Sequence, residues 1–175
     1  WTVEDCAILL QAMAAHDPSD PGSINVAVPD YQAALSGDLK GMRIGVVRHF
    51  FEKDVVVDRE VGAAMEGSLG VLSGLGATVQ DVTLPPLQDW NACGWLILVS
   101  EAYSVHEPWL KSRYNDYGRN FRERVTLGAF FTAADYQAAI RFRRELNEQL
   151  AMAMTDIDLL VLPTTLTPAP KFDKV

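Results

Sequence analysis

Apolar and polar positions alternate along this chain with two periods, one typical of helices and one typical of strands. Helical periodicity, introduced by capping residues such as Thr2, Asp58 and Thr132, predicts five helices. They cover residues 2–15, 58–74, 91–106, 119–125 and 132–154. Short apolar runs predict strands over residues 43–48, 77–84 and 158–163. The first two strands enclose a helix, which is a βαβ unit with parallel strands, so the predicted fold class is α/β.

Glycine and proline mark where these elements end. Gly74 and Gly76 end the second helix, and Glu107 and Pro108 end or kink the third. Turn-forming residues keep the segment 16–40 loop-like. The chain has no internal repeat.

Composition and charge narrow the function classes. Of the 175 residues, 49% are hydrophobic, which excludes a disordered chain. With a net charge of −8, the chain lacks the basic surface that binds phosphate backbones and anionic membranes. We therefore expect no direct nucleic-acid partner and no membrane partner. No window of 18 consecutive apolar residues predicts a membrane span. Nothing resembles a signal peptide, which leaves the cytoplasm as the default location.

Several kinds of catalytic or cofactor site lack their motifs. The turn after the first strand carries Arg48-His49-Phe50-Phe51, which is too bulky to bind a nucleotide phosphate. The three histidines are isolated, so we expect no metal site. The nearest approach to a G-x-S-x-G nucleophile motif, residues 66–70, lies inside a helix, so we assign no catalytic residue. Cys6 and Cys93 have the apolar flanks of buried thiols rather than of a disulfide.

One charged residue breaks the local pattern. At 100° per residue, Arg143 falls within the apolar stripe of the fifth helix, which contains Ala139, Phe142, Leu146 and Leu150. A guanidinium that faces a core needs a carboxylate partner, or its stem must reach the edge. The alternative is that Arg143 orders a pocket or clamps an anionic group of a substrate. His106 shares a face with Trp95 and Val99, which favours a core histidine over a catalytic base.

The assembled motifs resemble the amidase-signature family. Residues 2–10 followed by 16–21 are similar to the stretch just after that family's catalytic region, and residues 39–46 are similar to its next strand. Tyr136, Arg143 and the run 158–164 match a later helix and strand in order and spacing. Each motif is loose alone, but their ordered succession over nearly the whole chain is specific.

The resemblance implies a mixed central β-sheet flanked by helices and hydrolysis of a carboxamide without a cofactor. In that family a Ser–cis-Ser–Lys triad and a Gly/Ser-rich loop lie upstream of the matching region, and backbone amides of the loop hold the oxyanion. Residues 1–175 are therefore expected to be a fragment of one amidase-signature domain that supplies scaffold and pocket walls. A homodimer of the full-length parent is left open.

The resemblance also suggests substrate-binding residues. The arginine that matches Arg143 is associated with a substrate carboxylate in the A subunits of tRNA-dependent amidotransferases. Trp109, Phe130 and Phe131, together with Trp95, are candidate walls of an apolar pocket for the acyl group of a small-molecule amide.

Two other functions stay open. The first is the A subunit of a glutamine-dependent aminoacyl-tRNA amidotransferase. Against it, Glu101-Ala102 is followed by Tyr-Ser-Val-His-Glu-Pro-Trp, where those subunits have an Asn and an Arg-Tyr-Asp-Gly run, which favours a stand-alone amidase. The second, of a different class, is a non-catalytic ligand-binding module of flavodoxin-like topology.

Overall fold

The computed structural model describes residues 2–172, which fall into two compact units that divide between Leu39 and Lys40. The helices in this range are α1 Val3–Met13, α2 Arg59–Gly74, α3 Leu87–Arg113, α4 Arg119–Thr126 and α5 Ala133–Ala153. The strands are β1 Arg43–Val46, β2 Thr78–Asp81 and β3 Leu159–Val161. Each predicted helix and strand is therefore confirmed, with shifted ends.

The first unit consists of α1 and the loop that follows it. A capping box starts α1, because Asp5 N–H donates to Thr2 Oγ1 at 3.2 Å and Thr2 N–H donates to Asp5 Oδ2 at 2.7 Å. Gln11 at the end of the helix accepts from Tyr31 N–H at 2.9 Å, which ties the loop back to α1. Cys6 is exposed, so the expectation of a buried thiol there is wrong, whereas Cys93 in the second unit is buried.

A parallel sheet organises the second unit. Its order is β2-β1-β3, and Ile44 of β1 pairs with Val79 on one side and Leu159 on the other. The central position of β1 explains why its residues Ile44 and Val46 are the most completely buried side chains of the strands. The α/β class is confirmed. The three strands described all run parallel, and no antiparallel strand of the expected mixed sheet lies within residues 2–172.

Helices cover both faces of this sheet. Val46 packs with Met65 and Leu69 of α2 on one face. Val47, the next residue along the chain, packs against a different group that includes Trp90 of α3 and Leu150 of α5. Successive residues point to opposite sides of an extended chain, so one dipeptide anchors helices to both sides of the sheet.

The ends of α2 lie where the local sequence signals predict them. Asp58 caps its first turn by accepting from Glu60 N–H at 2.8 Å. At its other end Gly76 has φ +100°, a left-handed conformation that glycine adopts without a steric penalty. The chain then turns directly into β2.

The helix α3 does not end at Pro108, as one of the two predicted outcomes had it, because it continues to Arg113. Proline removes one backbone donor from the helix, and side-chain bonds in the surrounding turns stabilise it there. Ser112 Oγ donates to the Pro108 carbonyl at 2.8 Å, and Lys111 pairs with Glu107 at 2.7 Å. Leu110 is buried, so tertiary packing holds the last turns in place.

A π-helical turn, Phe50–Asp54, follows β1, and its last residue is hydrogen-bonded to the start of α3. Asp54 Oδ2 accepts from Leu87 N–H at 2.8 Å and contacts His49 Nδ1 at 3.1 Å. Leu84 N–H donates to the other ring nitrogen of His49 at 3.3 Å, so that nitrogen is the acceptor. The backbone donation from Leu87 is the main reason why the pKa of Asp54 lies below its usual range. This carboxylate therefore caps α3 from a distant part of the sequence.

A second long-range pair joins β1 to β3. Asp158 Oδ2 accepts from Arg43 N–H at 2.8 Å, and Asp158 Oδ1 accepts from Arg43 Nη2 at 2.8 Å. The side-chain bonds from Arg43, followed by the backbone bond, lower the pKa of Asp158.

Asp158→Asn is expected to destabilise the protein in a pH-dependent way. A carboxyl whose pKa is lower in the folded state stabilises that state above its unfolded pKa of about 4, and this contribution disappears as the pH falls through the folded pKa. The difference in thermal midpoint between the wild type and the variant should therefore be largest above roughly pH 5 and should close below roughly pH 3. Thermal unfolding from about pH 2.5 to 7 measures it. The control is Glu148→Gln, an exposed carboxylate on α5, and a gap for Asp158→Asn that is constant with pH would contradict the expectation.

Candidate functional site

The four predicted substrate-binding residues do not meet in one pocket. Phe131 follows a 3₁₀ turn, Leu127–Phe130, and lines a cleft beside α3 and α5. Trp109 lines a different cleft on α3. Phe130 is 77% exposed, and neither it nor Arg143 lines the cleft that contains Phe131. The aromatic character of these residues and their positions in the sequence were thus insufficient to predict which side chains share a cleft.

The cleft beside Phe131, called the α3–α5 cleft below, has a volume of about 380 Å³. Its walls come from the middle of α3, the end of the 3₁₀ turn and the first turn of α5. The lining residues are Ser100, Glu101, Ser104, Gly128, Phe131, Thr132, Ala133 and Tyr136.

A short hydrogen bond spans this cleft. The Tyr136 hydroxyl donates to Glu101 Oε1 at 2.7 Å. This bond, followed by partial burial and the negative charge of Glu101, raises the pKa of Tyr136, so the phenol stays protonated and remains the donor. No periodic pattern in the sequence indicates the pair, because the two residues lie 35 positions apart on different helices.

Arg143 does not have the orientation that the apolar stripe predicted. The residue is exposed, and no carboxylate of residues 2–172 pairs with it, which agrees with a stem that reaches the edge rather than with an ion pair to an inward acid. Its positive charge acts weakly on the Tyr136 hydroxyl, where it opposes the rise in pKa. The stem lies two turns beyond Tyr136 on α5, with its charged group available to a ligand.

Trp109 belongs to an aromatic cluster at the end of α3. His106 contacts the rings of Trp109, Tyr117 and Phe121, and its Nδ1 lies 3.1 Å from the Tyr117 hydroxyl. His106 is thus half-buried among rings rather than in the main core. Trp109 remains 50% exposed and borders a cleft of about 250 Å³ with Tyr117.

Trp95 lies in a third place, on an apolar cleft of about 370 Å³ between α3 and α4. Phe121 and Val125 of α4 form its opposite wall. Of the aromatic residues proposed as pocket walls, Trp109, Phe131 and Trp95 therefore line three different clefts along α3, and Phe130 lines none of them.

The turn after β1, at the carboxyl edge of the sheet, contains the bulky side chains that the sequence predicted there. Phe50 and Phe51 are buried in the turn after β1. Arg48 pairs with Glu52 at 3.2 Å, Asp81 at 2.9 Å and Glu66, which raises its pKa chiefly through the Glu66 bond. A guanidinium with three carboxylate partners is already neutralised and offers no anion site.

Metal-binding and membrane-spanning features are both missing from the part of the chain that the structure describes. Within residues 2–172 no group of three His, Cys, Asp or Glu side chains is arranged to hold a metal ion. Among the helices of the same range, none combines the length and apolar character that a bilayer crossing requires.

Comparison with known proteins identifies the family. The family model described as Amidase matches residues 1–175. The chain is 32% identical to the A subunit of glutamyl-tRNA(Gln) amidotransferase from Pseudomonas fluorescens, an alignment that covers 97% of this chain and 40% of the relative. The A subunit of the same enzyme from Carboxydothermus hydrogenoformans is 33% identical, and that alignment covers 98% of this chain and 40% of the relative. The chain thus spans about 40% of the length of the curated relatives it matches.

Solved structures of related chains share the fold. One is described as a vestigial protein complex that reveals the evolutionary origins of an s-triazine catabolic enzyme. It superposes with a TM-score of 0.84 at 27% identity and covers 98% of this chain and 36% of that chain. The A subunit of glutamyl-tRNA(Gln) amidotransferase from Thermotoga maritima superposes with a TM-score of 0.65 at 26% identity. This superposition covers 99% of this chain and 38% of that chain. These findings argue against the flavodoxin-like alternative. Because the family model matches residues 1–175, the chain belongs to the amidase family, the amidase-signature enzymes.

Proposed function

We propose that this chain is the scaffold and substrate-cleft part of an enzyme that cleaves a carboxamide C–N bond of a small molecule by serine acyl transfer. The observation that carries the proposal is the family match over residues 1–175. In this reaction a serine oxygen attacks the amide carbonyl, the C–N bond breaks to release ammonia or an amine, and water hydrolyses the acyl-enzyme. No cofactor takes part in these steps.

The catalytic triad is proposed to lie outside these residues, which would form one amidase-signature domain with it. The hydroxyls of Ser100 and Ser104 in the α3–α5 cleft support this placement. Both donate to backbone carbonyls, at 2.7 and 2.8 Å, and no lysine lines the cleft to act as their base. An activated serine needs a base within hydrogen-bonding reach, and neither of these serines has one.

Ammonia release from a panel of simple carboxamides tests this function. The full-length protein that contains this chain is expected to hydrolyse at least one of them, whereas residues 1–175 alone are expected to hydrolyse none. Turnover by residues 1–175 that disappears on replacement of one of their own serines would refute the placement of the triad. An inactive full-length protein, tested over amides of different size and charge, would count against amide cleavage itself.

A second candidate is the A subunit of a glutamine-dependent aminoacyl-tRNA amidotransferase. The relatives of that name, at 32 and 33% identity, favour it. The segment 103–109 favours a stand-alone amidase, because His106 and Trp109 there build an aromatic cluster in place of the expected Arg-Tyr-Asp-Gly run. Glutamine-dependent amidation of a charged tRNA, measured with and without added partner subunits, separates the two.

Arg143→Met tests the clamp role in the full-length enzyme. Because Arg143 is exposed and unpaired within residues 2–172, the variant is expected to fold with an unchanged thermal midpoint. Loss of a charge-assisted bond to a substrate carboxylate should raise KM roughly tenfold or more for acidic amides and leave neutral amides unaffected. Steady-state kinetics on matched acidic and neutral amides measure the difference. Equal changes for both substrates would exclude a clamp.

A further inference from the structure

The α3–α5 cleft presents side chains that accept hydrogen bonds and none that donate. Four hydroxyl groups line it, those of Ser100, Ser104, Thr132 and Tyr136. Each is bonded to an oxygen that has no proton to give, which fixes the hydroxyl as the donor of that bond. Their protons are therefore all used inside the protein, so they can only accept from a ligand, and Thr132 Oγ1 already accepts from Asp135 N–H at 3.1 Å.

The bonds that use these protons are short. The hydroxyls of Ser100 and Ser104 donate to the carbonyls of Leu96 and Glu101, at 2.7 and 2.8 Å. Thr132 Oγ1 donates to Asp135 Oδ2 at 2.7 Å, inside the capping box of α5. The Tyr136 hydroxyl donates to Glu101 Oε1 at 2.7 Å.

Glu101 adds a negative charge to the same wall. Its carboxylate accepts from Tyr136 and pairs with no cation among residues 2–172. Arg143, the arginine whose charge reaches Tyr136, does not line the cleft, and that charge is the weakest of the named influences on the phenol. Two aromatic residues, Phe131 and Tyr136, line the same cleft.

From this arrangement we propose that the α3–α5 cleft binds a small organic ammonium group, with the cation on Glu101 and the organic part against Phe131. An ammonium has three donors and no acceptor, so it satisfies the carboxylate and the free lone pairs together. Aromatic rings attract the same charge through their faces. A neutral alcohol of the same size lacks the charge, and a carboxylate is repelled. The proposal does not depend on amide cleavage.

Direct binding to the full-length protein tests this site in the absence of turnover. Isothermal titration at neutral pH compares benzylammonium, benzyl alcohol and benzoate, which share a ring and differ in charge. Benzylammonium is expected to bind at least tenfold more tightly than the alcohol, and benzoate is expected not to bind. Equal affinity for the ammonium and the alcohol, or no binding of benzylammonium, would overturn the proposal.

Matched variants separate this cleft from a general attraction of cations to an acidic protein. Glu101→Gln should weaken benzylammonium binding at least tenfold, because the amide keeps an acceptor for Tyr136 but removes the charge. Glu148→Gln, an exposed residue on α5 that does not line the cleft, removes the same charge and should leave the affinity unchanged. Equal losses in both variants would refute a specific site. The thermal midpoint of each variant reports whether it is folded.

Discussion

Gly128→Ala is expected to lower the free energy of unfolding by roughly 3 kcal/mol or more. A β-carbon at residue 128 would lie 2.4 Å from the carbonyl oxygen of Val99 and 2.5 Å from Cβ of Tyr103. Both atoms are fixed to the backbone of α3, so neither side-chain rotation nor a small shift relieves the overlap. The 3₁₀ turn must then move away from α3. Since Gly128, Phe131 and Thr132 all line the α3–α5 cleft, ligand binding there should weaken as well.

Urea unfolding of the purified variants measures this effect, and α2 contains a matched control. Gly67 lies in the middle of that helix, and nothing is within 4 Å of the position its β-carbon would take. Gly67→Ala should be neutral or stabilising by up to about 1 kcal/mol, because alanine has the higher helix propensity. Similar stabilities for the two alanine variants would contradict the close contact between the 3₁₀ turn and α3.

Sequence patterns predicted the parts of the fold that local chemistry determines. The capping boxes at Thr2 and Thr132 formed as predicted, since each needs only residues three positions apart. Gly76 lies in the turn after α2 as predicted, because the left-handed backbone conformation that it adopts is also a local property. The parallel pairing of β1 and β2 follows from the crossover helix between them.

Where distant residues decide the outcome, the sequence was a poor guide. Pro108 would end an isolated helix, but burial of Leu110 keeps α3 helical beyond it. The cap of α3 comes from Asp54, which is 33 positions before Leu87 and follows no capping pattern. Periodicity placed Arg143 on an apolar stripe, yet a helix buries only the part of its stripe that a neighbour covers. Within residues 2–172 no neighbour covers the Arg143 side chain, which is exposed.

The candidate cleft shows the same division. Phe131 was predicted as a wall residue from its chemistry, and it does line the α3–α5 cleft. Glu101 and Tyr136 each stood in a motif compared with the family, but their hydrogen bond depends on how α3 packs against α5. That packing rests on Ile97, Ala139 and Leu146, whose burial is a tertiary property. A sequence pattern therefore identified the helices that form the site before it could identify the contacts.

Phe51→Ala is expected to have the other large effect, a loss of roughly 3–5 kcal/mol in the free energy of unfolding. Phe51 is 3% exposed and packs with Val46, Met65 and Leu69, so it links the π-helical turn to β1 and α2. Truncation leaves a cavity that the sheet and the helix cannot both close, because each is held by other contacts.

Phe130→Ala is the matched control, since it removes the same atoms from a side chain that is 77% exposed. This variant should change the free energy of unfolding by less than about 0.5 kcal/mol. Urea unfolding of both variants, with activity measured in parallel, also tests Phe130 as a pocket wall. A stable Phe130→Ala enzyme with a raised KM for apolar amides would support that role, and unchanged kinetics would remove Phe130 from the site. A Phe51→Ala protein as stable as the wild type would instead show that the closed turn after β1 is not a support of the core.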